Sequence, residues 1–260
     1  MPTEEDAPSE LVPGVPILRL EDLRYTDDIP AAHRRRVRNW ARADGAHAND
    51  LLRWSSKPVL IESLLDRYDS VLYFDNDIYV VDRYDFLFDD LGSSGALLTP
   101  HWRCLLPHDG CEIYAANFWG GLYNAGFVGF SRRGLEPLAW WRAACRHYVG
   151  RRTHYYDDQR YLDVLPTYFD QVKVLRHRGL NVASWNRHLN VRSVRGGRVY
   201  INDVYPLVFI HFSCFNAPAD PDLRSYLHEY ERSLGECREY LAAANQRAWK
   251  TSSTSRARTE

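Results

Sequence analysis

The chain lacks net charge: 33 lysines and arginines face 34 aspartates and glutamates over 260 residues, a balance of −1. No global field therefore draws it to nucleic acid or to an anionic membrane. Long apolar runs are also missing, and no stretch approaches the 18 residues of a membrane span. The segment from Met1 to Pro16 is acidic and proline-containing, without the basic and apolar regions of a secretion signal. Cysteine is scarce and odd in number: Cys104, Cys111, Cys145, Cys214 and Cys237, with no C-x-x-C pair. That usage fits a reducing compartment and predicts a cytoplasmic protein, membrane-peripheral only through partners. Lysine is confined to Lys57, Lys173 and Lys250, so nearly all positive charge is arginine. Arginine suits bidentate phosphate or carboxylate recognition, although codon bias produces the same excess. No internal repeat is found.

What is present is a chain long enough for one large domain or two small ones, with an ordinary apolar content of 45%. Residues 1–14 read as a flexible tail, 15–250 as a single domain and 251–260 as a polar, disordered tail. Val15 to Leu20 is a short strand candidate. Asp27 to Asp50 is polar, and its Arg34-Arg35-Arg36 triplet reads as a solvated helix face. Ser55-Ser56-Lys57-Pro58 predicts a helix start, with a serine cap and proline in the first turn. An apolar stripe then runs to Arg67, and Val71-Leu72-Tyr73-Phe74 follows as a strand buried on both faces. Further strands are expected at Gly95–Thr99, Leu122–Phe130, Val172–Leu175 and Leu207–Phe212. Helices are expected at Pro137–Tyr148, Asp157–Leu165 and Leu223–Trp249. Helix followed by buried strand is the αβ unit of a mostly parallel sheet.

The most informative feature is the end of that first buried strand, Asp75-Asn76-Asp77. Two carboxylates separated by one residue can share a hard divalent ion and leave it open to substrate phosphates. A strand end with two solvated aspartates gives the same pattern. Four later signals bear on the choice. Asn124-Ala125-Gly126 places an amide and a glycine inside a strand, the mark of a bulge or of close ligand approach. Asp157-Asp158-Gln159 opens a helix, as a cap or as polar groups aimed at a ligand. Asn181, Trp185 and Asn186 offer two amides and an indole, for sugar stacking or for the core. His211 ends a strand, as a structural histidine or as a neutral metal ligand.

Their order carries more than any one of them. Helix, apolar strand, D-x-D, N-A-G, D-Q, N-x-x-x-W-N and H-F-S, from Trp54 to Phe215, resembles bacterial glycosyltransferases of the nucleotide-diphospho-sugar transferase superfamily, of the galactosyltransferase or glycogenin-like type. The resemblance implies an α/β GT-A-like fold, a mixed, mostly parallel sheet flanked by helices. It implies metal-dependent transfer of a sugar from a nucleotide-diphosphate donor to a carbohydrate, lipid-linked or small-molecule hydroxyl, with retention. It implies Mn2+ or Mg2+ on Asp75, Asp77 and His211. Asp158 and Gln159 then serve the anomeric centre as catalytic residues. Lys57, Asn76, Asn124, Gly126, Trp185 and Asn186 serve the donor.

Two departures stand out. Only 74 residues precede Asp75, with one strand candidate, so the N-terminal nucleotide-binding unit is expected to be incomplete. The family's H-x-x-G-x-x-K ending is absent, since Ser213, Cys214 and Asn216 follow His211 without a lysine. Three rival readings remain. A non-catalytic sugar-nucleotide-binding or scaffold protein derived from such an enzyme fits the short N-terminus. A haloacid-dehalogenase-type phosphatase also ends a strand in D-x-D, but wants threonine or valine where this chain has Tyr79. A zinc site at His101, Cys104, His108 and Cys111 has suitable spacing but no ββα or ribbon context.

Overall fold

The computed structural model describes residues 10–12, 15–16, 18, 22–29, 46–107, 114–148, 158–213 and 221–256. The Arg34-Arg35-Arg36 triplet and Asp157 lie outside them, as do most of the 1–14 segment and residues 257–260. The chain divides into two compact units, residues 24–222 and residues 1–23 with 223–260. The second unit contains a short antiparallel ladder of β1 (Glu10–Val12) with β2 (Val15–Pro16). It also contains a helix, Arg224–Arg256, that continues through the first six residues of the segment expected to be a disordered tail.

The larger unit is mixed α/β. Its main sheet has the order β3 (Ser70–Phe74), β6 (Tyr123–Ser131), β5 (Ala96–Pro100), β7 (Val172–Val174). A mostly parallel sheet was expected, but only β5 and β7 run parallel; β6 is antiparallel to both of its neighbours. The physical reason is β6 itself. It follows β5 through a long excursion and re-enters between β3 and β5, reversed.

Side-chain alternation splits this sheet cleanly into two faces. Ala96, Leu98, Val128 and Phe130 join one core cluster, with Val71 and Tyr73 against it. Leu97 and Phe127 join the other, with Leu72 and Phe74 against it. Helix α1 (Ala46–Leu64) lends Trp54 and Ile61 to the first face, as does α3 (Leu135–His147) with Leu138 and Trp141. Helix α2 (Phe86–Ser93) covers the second with Leu87 and Leu91. The continuous apolar run of the sequence is thus an edge strand with packing on both faces, half-buried at every position and not fully buried as expected.

Two local expectations change. Helix α1 does not begin at Ser55; it runs through that point with Pro58 inside it. Ser55 and Ser56 donate their hydroxyls back to the carbonyls of Leu52 and Arg53, at 3.2 and 3.0 Å, instead of capping forward. Asp157–Leu165 was expected to be an α-helix; Gln159–Val164 is a 3-10 turn, followed by one α-helical turn, Leu165–Tyr168. Helix α2 was not anticipated, nor was the antiparallel ladder of β8 (Arg192–Arg195), β9 (Arg198–Ile201) and β10 (Tyr205–Pro206), which opens with a β8–β9 hairpin. The signal of the hairpin was in plain view. Gly196-Gly197, both at positive φ (57° and 77°), form the two-residue link that such hairpins favour.

Candidate metal centre

The D-x-D pair occupies the turn between two sheets. Strand β3 ends at Phe74, and the Asp75 amide still donates to the Gly126 carbonyl at 2.7 Å. The turn closes with Ile78 N–H on the Asp75 carbonyl at 3.1 Å. The chain then enters β4 (Ile78–Val80), which pairs antiparallel with β11 (Phe209–His211) and not with the main sheet. That register sets His211 opposite Ile78, and Phe212 N–H bonds the Asp77 carbonyl at 2.7 Å. One ligand atom each from Asp75, Asp77 and His211 lies within 4.8 Å of the others. Among the described residues this is the one group of histidine, cysteine and acidic side chains so placed.

The donor set fits a divalent ion. Asp77 Oδ1 is buried and has no hydrogen-bond partner beyond a 3.2 Å contact with His211 Nε2. Neighbouring ligands in an octahedral shell of radius about 2.1 Å stand about 3 Å apart, close to that separation. Two carboxylates with one imidazole suit Mn2+ or Mg2+ better than a thiolate-seeking metal. Burial alone would raise the Asp77 pKa, but the adjoining His211 outweighs it and the net shift is downward.

Lys57 of α1 sits beneath the pair with 3% exposure. Its ammonium lies 3.2 Å from Asp75 Oδ2 and 3.4 Å from Asp158 Oδ2, and donates to the Ala125 carbonyl at 3.1 Å. Burial opposes its charge, but Asp158 and Asp75 more than offset that, and its pKa rises. Tyr73 donates its hydroxyl to Asp75 Oδ1 at 2.7 Å. Burial and the Asp75 charge push its own pKa up. Sequence reasoning passed over Tyr73, although it lies two residues before Asp75 on the same strand face.

The Asn124-Ala125-Gly126 segment is a bulge. Leu98 pairs with Val128 but Thr99 with Asn124, so β6 spends extra residues there. Asn124 Oδ1 accepts the Gly126 N–H at 2.7 Å, and its amide nitrogen meets His101 Nε2 at 3.1 Å. A Cβ on Gly126 would run into the His211 ring and stand 2.6 Å from Asn124 Oδ1. Gly126→Ala is therefore expected to cost about 1–3 kcal/mol of stability. It should weaken Mn2+ binding in step, measured by urea unfolding and by titration of the metal alone.

The donor-side residues divide. Asn76 is exposed in the turn, but several others are committed inside the protein. Asn186 is completely buried. Its amide donates to the carbonyls of Asn181 and His101 at 2.8 and 3.2 Å. Trp185 is buried, with its indole N–H on the His101 carbonyl at 3.1 Å and its ring edge-on to His211 at 5.2 Å. Neither presents a surface for a sugar, since their polar atoms hold the walls of the site. Asp158 is 2% exposed against Lys57, and Gln159 donates to the Gly120 carbonyl at 2.8 Å. A contact of Asp158 with an anomeric carbon would need a carboxylate at the site's surface, and here it lies behind Lys57.

The zinc pattern does not assemble among the described residues. His101 is buried on Asn124, and its pKa is driven well down by burial and by Arg103, which keeps it neutral. Cys104 is disulfide-bonded. That bond departs from the reducing compartment expected from the cysteine usage. His108 and Cys111 lie outside the described residues. Among the described residues, no helix is long and apolar enough to cross a membrane.

No protein-family model matches the chain. Two curated proteins of Bacillus subtilis (strain 168), both named as uncharacterized, are similar to it. YfnF is 25% identical over 189 residues, 69% of this chain and 61% of its own length. YfnD is 29% identical over 173 residues, 62% of this chain and 53% of its own length. The chain thus spans only about half to three fifths of these relatives. Among solved structures, a glycosyltransferase involved in the glycosylation of the major capsid of PBCV-1 aligns with 75% of this chain and 91% of its own, at 13% identity and a TM-score of 0.43.

Proposed function

We propose that this protein is a divalent-metal-dependent glycosyltransferase, moving a sugar from a nucleotide-diphosphate donor to a hydroxyl acceptor. The observation that carries the reading is the convergence of Asp75, Asp77 and His211 within 4.8 Å, just past the end of β3. In this reading Asp75, Asp77 and His211 hold Mn2+ or Mg2+. When bound, the ion neutralises the charge that develops on the leaving diphosphate. The remaining work falls to the chain's own groups. Lys57 and Tyr73 fix the Asp75 carboxylate from two sides, at 3.2 and 2.7 Å. Asp158 holds Lys57 from behind and so positions Asp75 indirectly. Asn76, exposed between the two aspartates, is assigned to the donor, and Gln159 to the anomeric centre, on the same order of motifs. We assign the transfer as retaining, on the resemblance of the motif order.

The test is a panel of sugar nucleotides with Mn2+, read by thermal shift and by product formation. A donor at 100 times its dissociation constant should add about 2.7 kcal/mol to apparent stability. The anomeric proton couplings of the product then report retention or inversion. If no sugar nucleotide stabilises the protein in a Mn2+-dependent way, the reading fails. A non-catalytic sugar-nucleotide-binding protein is the second reading. It is favoured by the burial of Asp158 against Lys57, which leaves that carboxylate away from any sugar. Its signature is donor-dependent stabilisation without turnover.

A further inference from the structure

His211 bears two ring nitrogens, and only one can face Asp77. Nε2 takes that place at 3.2 Å, while Nδ1 points the other way, to Asn181 Oδ1, also at 3.2 Å. The identity of that partner atom follows from the far side of the same amide. The Asn181 nitrogen lies 3.3 Å from the Pro100 carbonyl oxygen. A carbonyl can only accept, so the NH2 group must face Pro100. The amide oxygen is thereby left for His211, and an oxygen acceptor requires a proton on Nδ1. With Nδ1 keeping its proton, Nε2 is the nitrogen left to bind a cation placed beside Asp77.

Asn181 is built for this place at some cost. It is completely buried and stands in the left-handed region at φ 55°, a conformation asparagine tolerates better than most residues. Its carbonyl is held by the Asn186 amide at 2.8 Å, and Asn186 Oδ1 takes the Ala183 N–H at 3.1 Å. The ring itself is boxed in by Trp185 edge-on and by Gly126, which has no room for a Cβ. We infer that Asn181 is a positioning residue that fixes the Nδ1-protonated tautomer of His211, so that Nε2 is delivered ready to bind a divalent cation. Second partners of metal-binding histidines are worth about 10–100-fold in metal affinity. The inference rests on the metal reading of Asp75, Asp77 and His211 given above.

Two variants separate positioning from plain structure. Asn181→Gly keeps the left-handed backbone accessible and removes both side-chain bonds. Asn181→Asp keeps an acceptor for His211 but loses the donor to Pro100. A merely structural role, through Pro100, would suffer equally in both. The probe is Mn2+ alone, without nucleotide, titrated by paramagnetic resonance of the free ion. The ring tautomer is read separately from imidazole 15N shifts in the metal-free protein. Asn181→Gly is expected to weaken Mn2+ binding about 10–100-fold and to lose the Nδ1-protonated signature, while Asn181→Asp stays within a few-fold of wild type. In a His211→Ala background, Asn181→Gly should change nothing further. Wild-type affinity and tautomer in Asn181→Gly, with binding lost in His211→Ala, would overturn the role of Asn181 and leave the metal site standing. Wild-type affinity in His211→Ala, or no binding by the wild type, would remove the metal reading and this inference with it.

Discussion

Lys57→Met is expected to destabilise the protein by about 3–5 kcal/mol. The ammonium is 3% exposed and serves two carboxylates and one carbonyl. Methionine nearly matches the volume of the lysine stem, so packing is conserved and the loss is electrostatic. What remains is Asp158, 2% exposed, without the Lys57 charge beside it. Removing one member of a buried pair strands the other, which costs far more than replacing both. Lys57→Met with Asp158→Asn should therefore recover a substantial part of the loss. Denaturant unfolding of the two single variants and the double variant measures this directly. Additive losses, with no recovery in the double variant, would mean that the Lys57–Asp158 contact carries little of the energy.

Asp77→Ala should leave the fold nearly intact and abolish metal-dependent function. Its carboxylate is a third exposed and, beyond His211, bonds nothing through Oδ1. Stability should change by less than about 1 kcal/mol, as for a partly exposed ion pair. Mn2+ affinity should fall by about 100-fold or more, since loss of a ligand exceeds the 10–100-fold cost of losing a ligand's partner. Mn2+-dependent turnover should fall with it. A variant equal to wild type in Mn2+ binding and turnover would sink the enzyme reading. Paired with Lys57→Met, the experiment separates two roles within one small volume, a buried cation that supports the fold and an acidic pair that meets the ligand.

Much of this arrangement was legible because it follows strand chemistry. The run Val71–Phe74 is apolar at every position, and the structure covers both of its faces. Asp75 and Asp77 had to break that run, and they did so at a turn. His211, 134 positions later by subtraction of the two numbers, reaches them through the register of β11 on β4. Pairing between distant strands is not written in local propensity, and only the order of motifs hinted at it. The direction of β6 was hidden for the same reason. Lys57 was recognised beside the donor, yet its role as a buried bridge depends on Asp158, on a separate 3-10 turn. Trp185 and Asn186 read equally well as wall or as ligand contact. Burial decides such cases, and burial is a property of the assembled fold. Helix α1 misled because Pro58 and two serines mimic a helix start, whereas tertiary packing of Trp54 and Ile61 carries the helix through them.

The D-x-D turn also joins two sheets that already share a core, where Phe209 meets Phe74 and Phe127. Strand β3 belongs to the main sheet, and β4 with β11 forms a separate two-stranded one. An ion shared by Asp75, Asp77 and His211 would act as a crosslink between the two sheets, closing a loop of about 130 residues in the unfolded chain. Loop-closure entropy grows only slowly with length, but a clip over so long a span gains nearly its full value. Occupancy should therefore be felt as slower amide exchange at β11 and as resistance to proteases across the seam. The same turn that gathers the ligands makes the ion a fastener of the fold.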